Sequence, residues 1–228
     1  MRLGALFSSG KDSSYALYLM QKQGYEIKCL ITIKSKNPDS FMFHTPNIEM
    51  TKLQAEAMEL PLLEQTTEGK KEAEVRDLEK ALEKAKEKYK IGGVVTGALF
   101  SDYQRTRIEK VCDKINLKVF SPLWHKDQEK EVRDLVKEGF KVVLSSVAAE
   151  GLDRNWLGKE LDNGMIDRLV KLNKKSGLNV AGEGGEYESL VLDAPMFKKK
   201  IEITDADIIE EDKNIARLII KKAELAKK

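Results

Sequence analysis

The sequence predicts an α/β protein: a doubly wound, five-stranded parallel sheet followed by a second, smaller α+β domain. Three observations predict it. Short apolar runs alternate with helical patterns through the first half of the 228 residues, as strand-helix-strand units require. A loop of small residues, Ser8-Ser9-Gly10, follows the first apolar run directly, at the strand end where such sheets receive ligands. After Ser121-Pro122 the rhythm changes to helices and strands separated by turn residues.

Taken in order, strands are expected at residues 3–7, 27–33, 62–65, 93–96 and 118–120. Helices are expected between them at 12–23, 47–58, 70–89 and 103–115. The first run, Leu3-Gly4-Ala5-Leu6-Phe7, is too short for a signal peptide or a membrane span and reads as a buried strand. In the helical stretches apolar residues recur at three and four positions, as in Leu78, Leu82 and Ala85. This domain is expected to occupy residues 1–123. The second, at 124–228, is expected to hold helices at 127–138 and 165–176, with strands at 141–146, 189–192, 199–204 and 216–220. A site is expected at the seam between the two domains.

Composition sets the remaining bounds. Forty Lys and Arg against 38 Asp and Glu leave a net charge of +2, which supplies no global field towards DNA or a membrane. The excess of Lys and Glu along residues 70–90 is the surface of a protein that works hot, so a thermophilic source is expected. Cys29 and Cys112 make neither a disulfide framework nor a zinc pattern and suit a reducing, cytoplasmic setting. His44 and His125, the two histidines, lack metal-ligand spacing and receive no role.

Chemistry concentrates first in Ser8-Ser9-Gly10-Lys11-Asp12-Ser13-Ser14, which opens the first helix. Small residues let backbone N–H groups face an anion, the helix N-terminus adds about half a positive charge, and Lys11 and the hydroxyls add donors. A Walker-type loop fails, because Asp12 follows Lys11 where Ser or Thr is needed and Ala5 stands where its first glycine should be. Kinase-like γ-phosphoryl transfer loses ground accordingly. Asp12 is a candidate Mg²⁺ ligand, since triphosphates arrive with that ion.

The pattern Ser-x-Gly-Lys-Asp-Ser at residues 8–13 resembles the PP-loop of the N-type ATP pyrophosphatases, with Ser9 in place of the first of the family's two glycines. Three further blocks resemble one branch, the diphthine-ammonia ligases. They are Thr96-Gly97-Ala98-Leu99-Phe100-Ser101-Asp102-Tyr103-Gln104-Arg105 with Arg107 and Glu109, Pro122-Leu123-Trp124, and Gly182-Glu183-Gly184-Gly185-Glu186-Tyr187-Glu188-Ser189. The resemblance implies a HUP/PP-loop fold, ATP as substrate, and cleavage between its α- and β-phosphates. It also implies amidation of diphthine, a modified histidine of translation elongation factor 2, with ammonium. No membrane or DNA partner is implied, and a homo-oligomer stays open.

Residue roles follow from the same resemblance. Ser8 to Ser14 and Gly97 would face the nucleotide, and the strand end at Ile31 and Ile33 would lie against adenine, read by backbone groups. Ser101, Asp102, Tyr103, Gln104 and Arg107 would touch ATP or the acceptor, although Asp102 could instead cap the helix. In the acidic turn, Glu183, Glu186 and Glu188 could bind ammonium or accept its proton, and Tyr187, Trp124 or Trp156 could pack against a trimethylated amine. The catalytic set is Lys11, Asp12, Glu183 and Glu186. Two alternatives remain at this level: a PP-loop tRNA-modifying enzyme, which would want a persulfide cysteine or a basic RNA surface, and a non-catalytic ATP-binding sensor.

Overall fold

Five parallel strands make the first sheet of the computed structural model, which describes residues 1–37 and 47–228. His44 lies outside the described residues. The strands are β1 (Arg2–Leu6), β2 (Glu26–Ser35), β3 (Leu62–Thr67), β4 (Gly93–Val95) and β5 (Lys118–Phe120), in the order β3-β2-β1-β4-β5. Every neighbouring pair is parallel. The chain therefore builds outward from β1 to β3, then returns to the other side of β1 for β4. That reversal puts the topological switch point between the carboxyl ends of β1 and β4.

Four helices connect these strands: α1 (Lys11–Lys22), α2 (Met50–Met58), α3 (Lys71–Tyr89) and α4 (Asp102–Lys114). The expected repeat in α3 is its core face. Leu78, Leu82 and Ala85 pack with Ile31, Ile33 and Val94 of the sheet and with Ile108 and Val111 of α4. Full burial of a side chain such as Leu82 contributes about 2 kcal/mol. Cys29 and Cys112 lie in the same cluster. α1 buries Tyr15, Ala16, Leu17 and Met20.

The chain divides into two compact units, Met1–Trp124 and His125–Lys228. In the second, α5 (Gln128–Lys137) is capped by Asp127, whose carboxylate accepts from Lys130 N at 2.8 Å. β6 (Lys141–Ala148) leads through a short 3-10 turn to α6 (Asn163–Ser176), which Asp162 caps by accepting from Met165 N at 2.7 Å. With β7 (Tyr187–Asp193), β8 (Lys200–Asp212) and β9 (Ile215–Ala226), β6 forms an antiparallel sheet in the order β7-β6-β9-β8. β8 and β9 run far beyond the expected 199–204 and 216–220, closing on the two-residue turn Lys213-Asn214. Asp and Glu are depleted in strands, so the acidic run from Asp205 to Asp212 reads locally as loop. The ion pairs Lys221–Asp207 at 2.6 Å and Arg217–Glu211 at 3.2 Å link it to β9 across the ladder.

Candidate active site

Phe7 to Gly10 form the loop at the switch point, between the end of β1 and the start of α1. Phe7 continues the ladder: its N–H donates to Ile31 O at 2.9 Å and its carbonyl accepts from Thr32 Oγ1 at 2.8 Å. Ser9 then turns the chain with a left-handed φ of 72°, a conformation that costs a non-glycine residue about 1–2 kcal/mol. Its carbonyl accepts from Gln54 Nε2 of α2 at 3.0 Å. Gly10 is the N-cap of α1, and no side chain caps the helix. Such an end presents its first-turn N–H groups to an anion.

Lys11 is almost fully buried, and its ammonium pairs with the Asp12 carboxylate, whose side chain is 27% exposed. Two of the hydroxyls expected to join the anion cradle, those of Ser13 and Ser14, bond within the loop. Ser13 Oγ accepts from Ser8 N and donates to Gly10 O, each at 3.2 Å, and lies 3.2 Å from Ser8 Oγ. Ser14 Oγ, fully buried, donates to Gly10 O at 2.9 Å. Both serines brace the loop internally.

Across the switch point, Thr96 N donates to Phe120 O at 2.9 Å, and its hydroxyl accepts from Ala98 N at 3.3 Å. Gly97 sits between these groups. A Cβ there would lie 2.6 Å from both Asp12 C and Ser13 N, and 2.9 Å from Asp12 O. Glycine is needed because the β4 loop and the first turn of α1 pack backbone to backbone.

Ile31 and Ile33 turn their side chains into the core, and Ile31 O accepts from Phe7 N, so of the two it is the Ile33 backbone, past the end of β1, that could meet a base. The β1 ladder ends at Leu6↔Ile31, whereas β3 pairs with β2 as far as Ser35. Thr32 to Ser35 therefore extend past β1 above the switch point. In the α4 block, Ser101 and not Asp102 is the cap, accepting from Gln104 N at 3.3 Å. Asp102 is exposed in the first turn. Arg107 lies 3.5 Å over the Tyr103 ring and donates to Tyr103 O at 3.4 Å, while Arg105 pairs with Glu109 at 2.7 Å.

In the second unit the acidic turn is strongly self-bonded. Glu186 Oε1 accepts from Asn179 N at 2.9 Å and Oε2 from Gly184 N at 2.8 Å. A Cβ at Gly184 would meet that carboxylate at 2.8 Å. Tyr187 corrects one expectation: it is 3% exposed and its hydroxyl donates to Val180 O at 2.7 Å, so its ring is core rather than an open face for a cation. Trp124 and Trp156 already carry guanidiniums, Arg105 at 4.4 Å and Arg168 at 3.9 Å. Glu183, in the same turn, and Glu188, on β7, are half-buried.

Burial pushes the Cys29 and Cys112 thiols up to about 12, which removes the thiolate that sulfur transfer needs. Among the described residues no cluster of three or more His, Cys, Asp or Glu could hold a metal ion. Mg²⁺ does not need one, since one or two carboxylates with substrate phosphates are its usual protein site. Asp12, a hard oxygen donor in the loop, fits that pattern. Gln54 has no place among the expected site residues. Its signal is Thr51, Gln54, Ala55 and Met58 at helical spacing, which puts a buried amide among core positions, where it must find a partner.

Residues 1–119 match the diphthamide synthase N-terminal domain and residues 127–225 the diphthamide synthase C-terminal domain. The diphthine-ammonia ligases of Bos taurus and Homo sapiens are each 39% identical over 92% of this chain and 85% of their own length. That of Saccharomyces cerevisiae is 32% identical over 87% of this chain but 34% of its own, longer sequence. A solved structure titled predicted subunit of tRNA methyltransferase, from Methanocaldococcus jannaschii, has a TM-score of 0.40 at 16% identity, covering 86% of this chain and 98% of that one; so distant a likeness decides nothing. With both domain models matched in order and close relatives aligned nearly end to end, the chain belongs to the diphthamide synthase family of diphthine-ammonia ligases.

Proposed function

We propose that this chain is an ATP-dependent amide ligase that converts the carboxylate of diphthine, on translation elongation factor 2, to an amide with ammonium. The observation that carries the reading is the β1–α1 loop: an uncapped helix N-terminus at the switch point, with Lys11 and Asp12 where a Walker loop would hold lysine and a hydroxyl. The relatives are diphthine-ammonia ligases, which agrees with it.

In the first step a carboxylate oxygen of the acceptor attacks the α-phosphorus of ATP. The bond to the β-phosphate oxygen breaks, pyrophosphate leaves with its electron pair, and an acyl-adenylate remains. Lys11 and the first-turn amides of α1 stabilise the charge on pyrophosphate, a preorganised donor set of which each member is worth roughly 3 kcal/mol. Asp12 would hold Mg²⁺, which neutralises phosphate charge when bound. The backbone of Thr32 to Ser35 would read the adenine rim. In the second step ammonium gives one proton to a carboxylate, the ammonia so formed attacks the acyl carbon, and the C–O bond to AMP breaks, the second proton lost from nitrogen leaving on the AMP phosphate.

Glu183 and Glu186 are the proposed acceptors of that proton; Glu186 is held in place by the backbone N–H groups that its two oxygens accept. Ser101, Asp102, Gln104 and Arg107 are proposed to meet ATP or the acceptor, and residues 124–228 to bind the acceptor protein. A cytoplasmic setting suits two buried, unpaired thiols, and no helix among the described residues is long and apolar enough to cross a membrane. Chromatography of the nucleotide products tests the reaction class. AMP and pyrophosphate in equal amounts are expected, and stoichiometric ADP would exclude it.

A further inference from the structure

We infer that Gln54 is a positioning residue that sets the conformation of the phosphate loop; the inference rests on the reading of residues 8–14 as that loop. Ser9 is a buried, non-glycine residue at φ 72°, and such a conformation persists only where the surroundings over-determine it. The surrounding group that reaches it from outside the loop is Gln54. Fully buried on α2, Gln54 sits 45 residues away in sequence and donates Nε2 to Ser9 O at 3.0 Å.

The peptide plane makes this bond directional. In a trans peptide the carbonyl of Ser9 and the N–H of Gly10 point in opposite directions, and no peptide bond among the described residues is cis. Holding Ser9 O towards α2 therefore aims Gly10 N–H away from α2. A flip of this one peptide would set a carbonyl oxygen where the loop has a donor, and an anion would meet repulsion instead of a hydrogen bond. Gln54 opposes that flip, and α2, which contributes none of the expected site residues, becomes part of the site's support.

The relation to Ser9 supplies the test. Glycine adopts positive φ about as readily as negative, so Ser9→Gly removes the cost of the conformation that Gln54 helps to hold. Gln54→Met, which keeps length and burial but removes the donor, should weaken ATP binding about 10-fold, the equivalent of one buried hydrogen bond. In a Ser9→Gly background the same substitution should weaken it by less than about 3-fold, the difference being the coupling of a double-mutant cycle. ATP dissociation constants from calorimetry are the readout, with Lys11→Ala as reference.

A merely structural Gln54 predicts equal weakening in both backgrounds, accompanied by equal losses in Tm. That result, or no weakening at all while Lys11→Ala weakens binding, overturns the inference and leaves the phosphate-loop reading standing. Unchanged affinity in Lys11→Ala as well would overturn both. Should Gln54→Met not fold, Gln54→Asn replaces it, since it retains a buried amide one methylene too short to reach Ser9 O.

Discussion

Gly97→Ala adds one methyl group at the point where the two halves of the parallel sheet meet, and its cost follows from what that methyl would touch. The new Cβ would stand 2.6 Å from Asp12 C and Ser13 N, about an ångström inside ordinary contact. The obstructing atoms are helix backbone, which cannot swing aside as the end of a side chain can. Overpacking costs about 1–3 kcal/mol, and backbone-to-backbone crowding places this case near 3. At about 3 °C per kcal/mol for a chain of this length, Tm should fall by roughly 9 °C. Because the strain displaces Asp12 and Ser13, the two sides of the first turn of α1, ATP affinity should fall about 10-fold in the same variant. Gly92→Ala is the control: its Cβ would meet the flexible Met1 side chain, Sδ at 3.4 Å and Cγ at 3.5 Å, and stability should change by less than about 0.5 kcal/mol. Differential scanning calorimetry and ATP titration read both. Wild-type Tm and affinity in Gly97→Ala would refute the argument that close approach explains this glycine.

Lys11→Ala and Gly10→Val should both weaken ATP binding, the first by lost charge and the second by blocked backbone approach; wild-type affinity in a folded Gly10→Val protein would place the phosphates elsewhere. Glu186→Gln replaces one acceptor oxygen by an NH₂ group facing a backbone N–H, at Asn179 or Gly184. It should therefore lower stability by about 1–3 kcal/mol, and an unchanged denaturant midpoint would show that the turn does not need both bonds. Cys29 and Cys112, at about 12 when folded against about 8.5 in an unfolded chain, favour the neutral thiol in the native state. Their contribution to stability is then fully present below about pH 8.5 and lost as pH rises towards 12. Thiol reagents at pH 8 should label neither until the protein unfolds, and rapid native labelling would contradict the burial.

The first unit was legible because its signals are local and repeated. Apolar runs, the 70–89 helical repeat and the loop ahead of α1 are each read within a short stretch of chain, whereas the strand order does not follow from the count of strands, since five can also run 2-1-3-4-5. The residues of the phosphate loop stand together in the sequence, but their geometry does not. Nothing local says that Ser14 bonds back to Gly10, that Gly97 answers to the α1 backbone, or that Gln54 reaches Ser9 across 45 residues. The acidic turn shows the same limit. Glu186 and Tyr187 read as chemistry because they are polar and aromatic beside two glycines, whereas folding spends both on holding residues 179–187 together. The long β8–β9 hairpin escaped for the opposite reason, since its acids suit a loop until Lys221 and Arg217 are placed opposite them.

The central claim is that ATP cleavage at this loop drives transfer of ammonium nitrogen to a carboxylate of the acceptor protein. The most direct measurement is incubation of the chain with ATP, ¹⁵N-labelled ammonium and unamidated elongation factor 2, followed by mass analysis of the modified histidine and of the nucleotides. The account predicts one ¹⁵N incorporated per AMP and pyrophosphate released, with both products lost in Lys11→Ala. AMP release without label in the acceptor, or label accompanied by ADP, would contradict it.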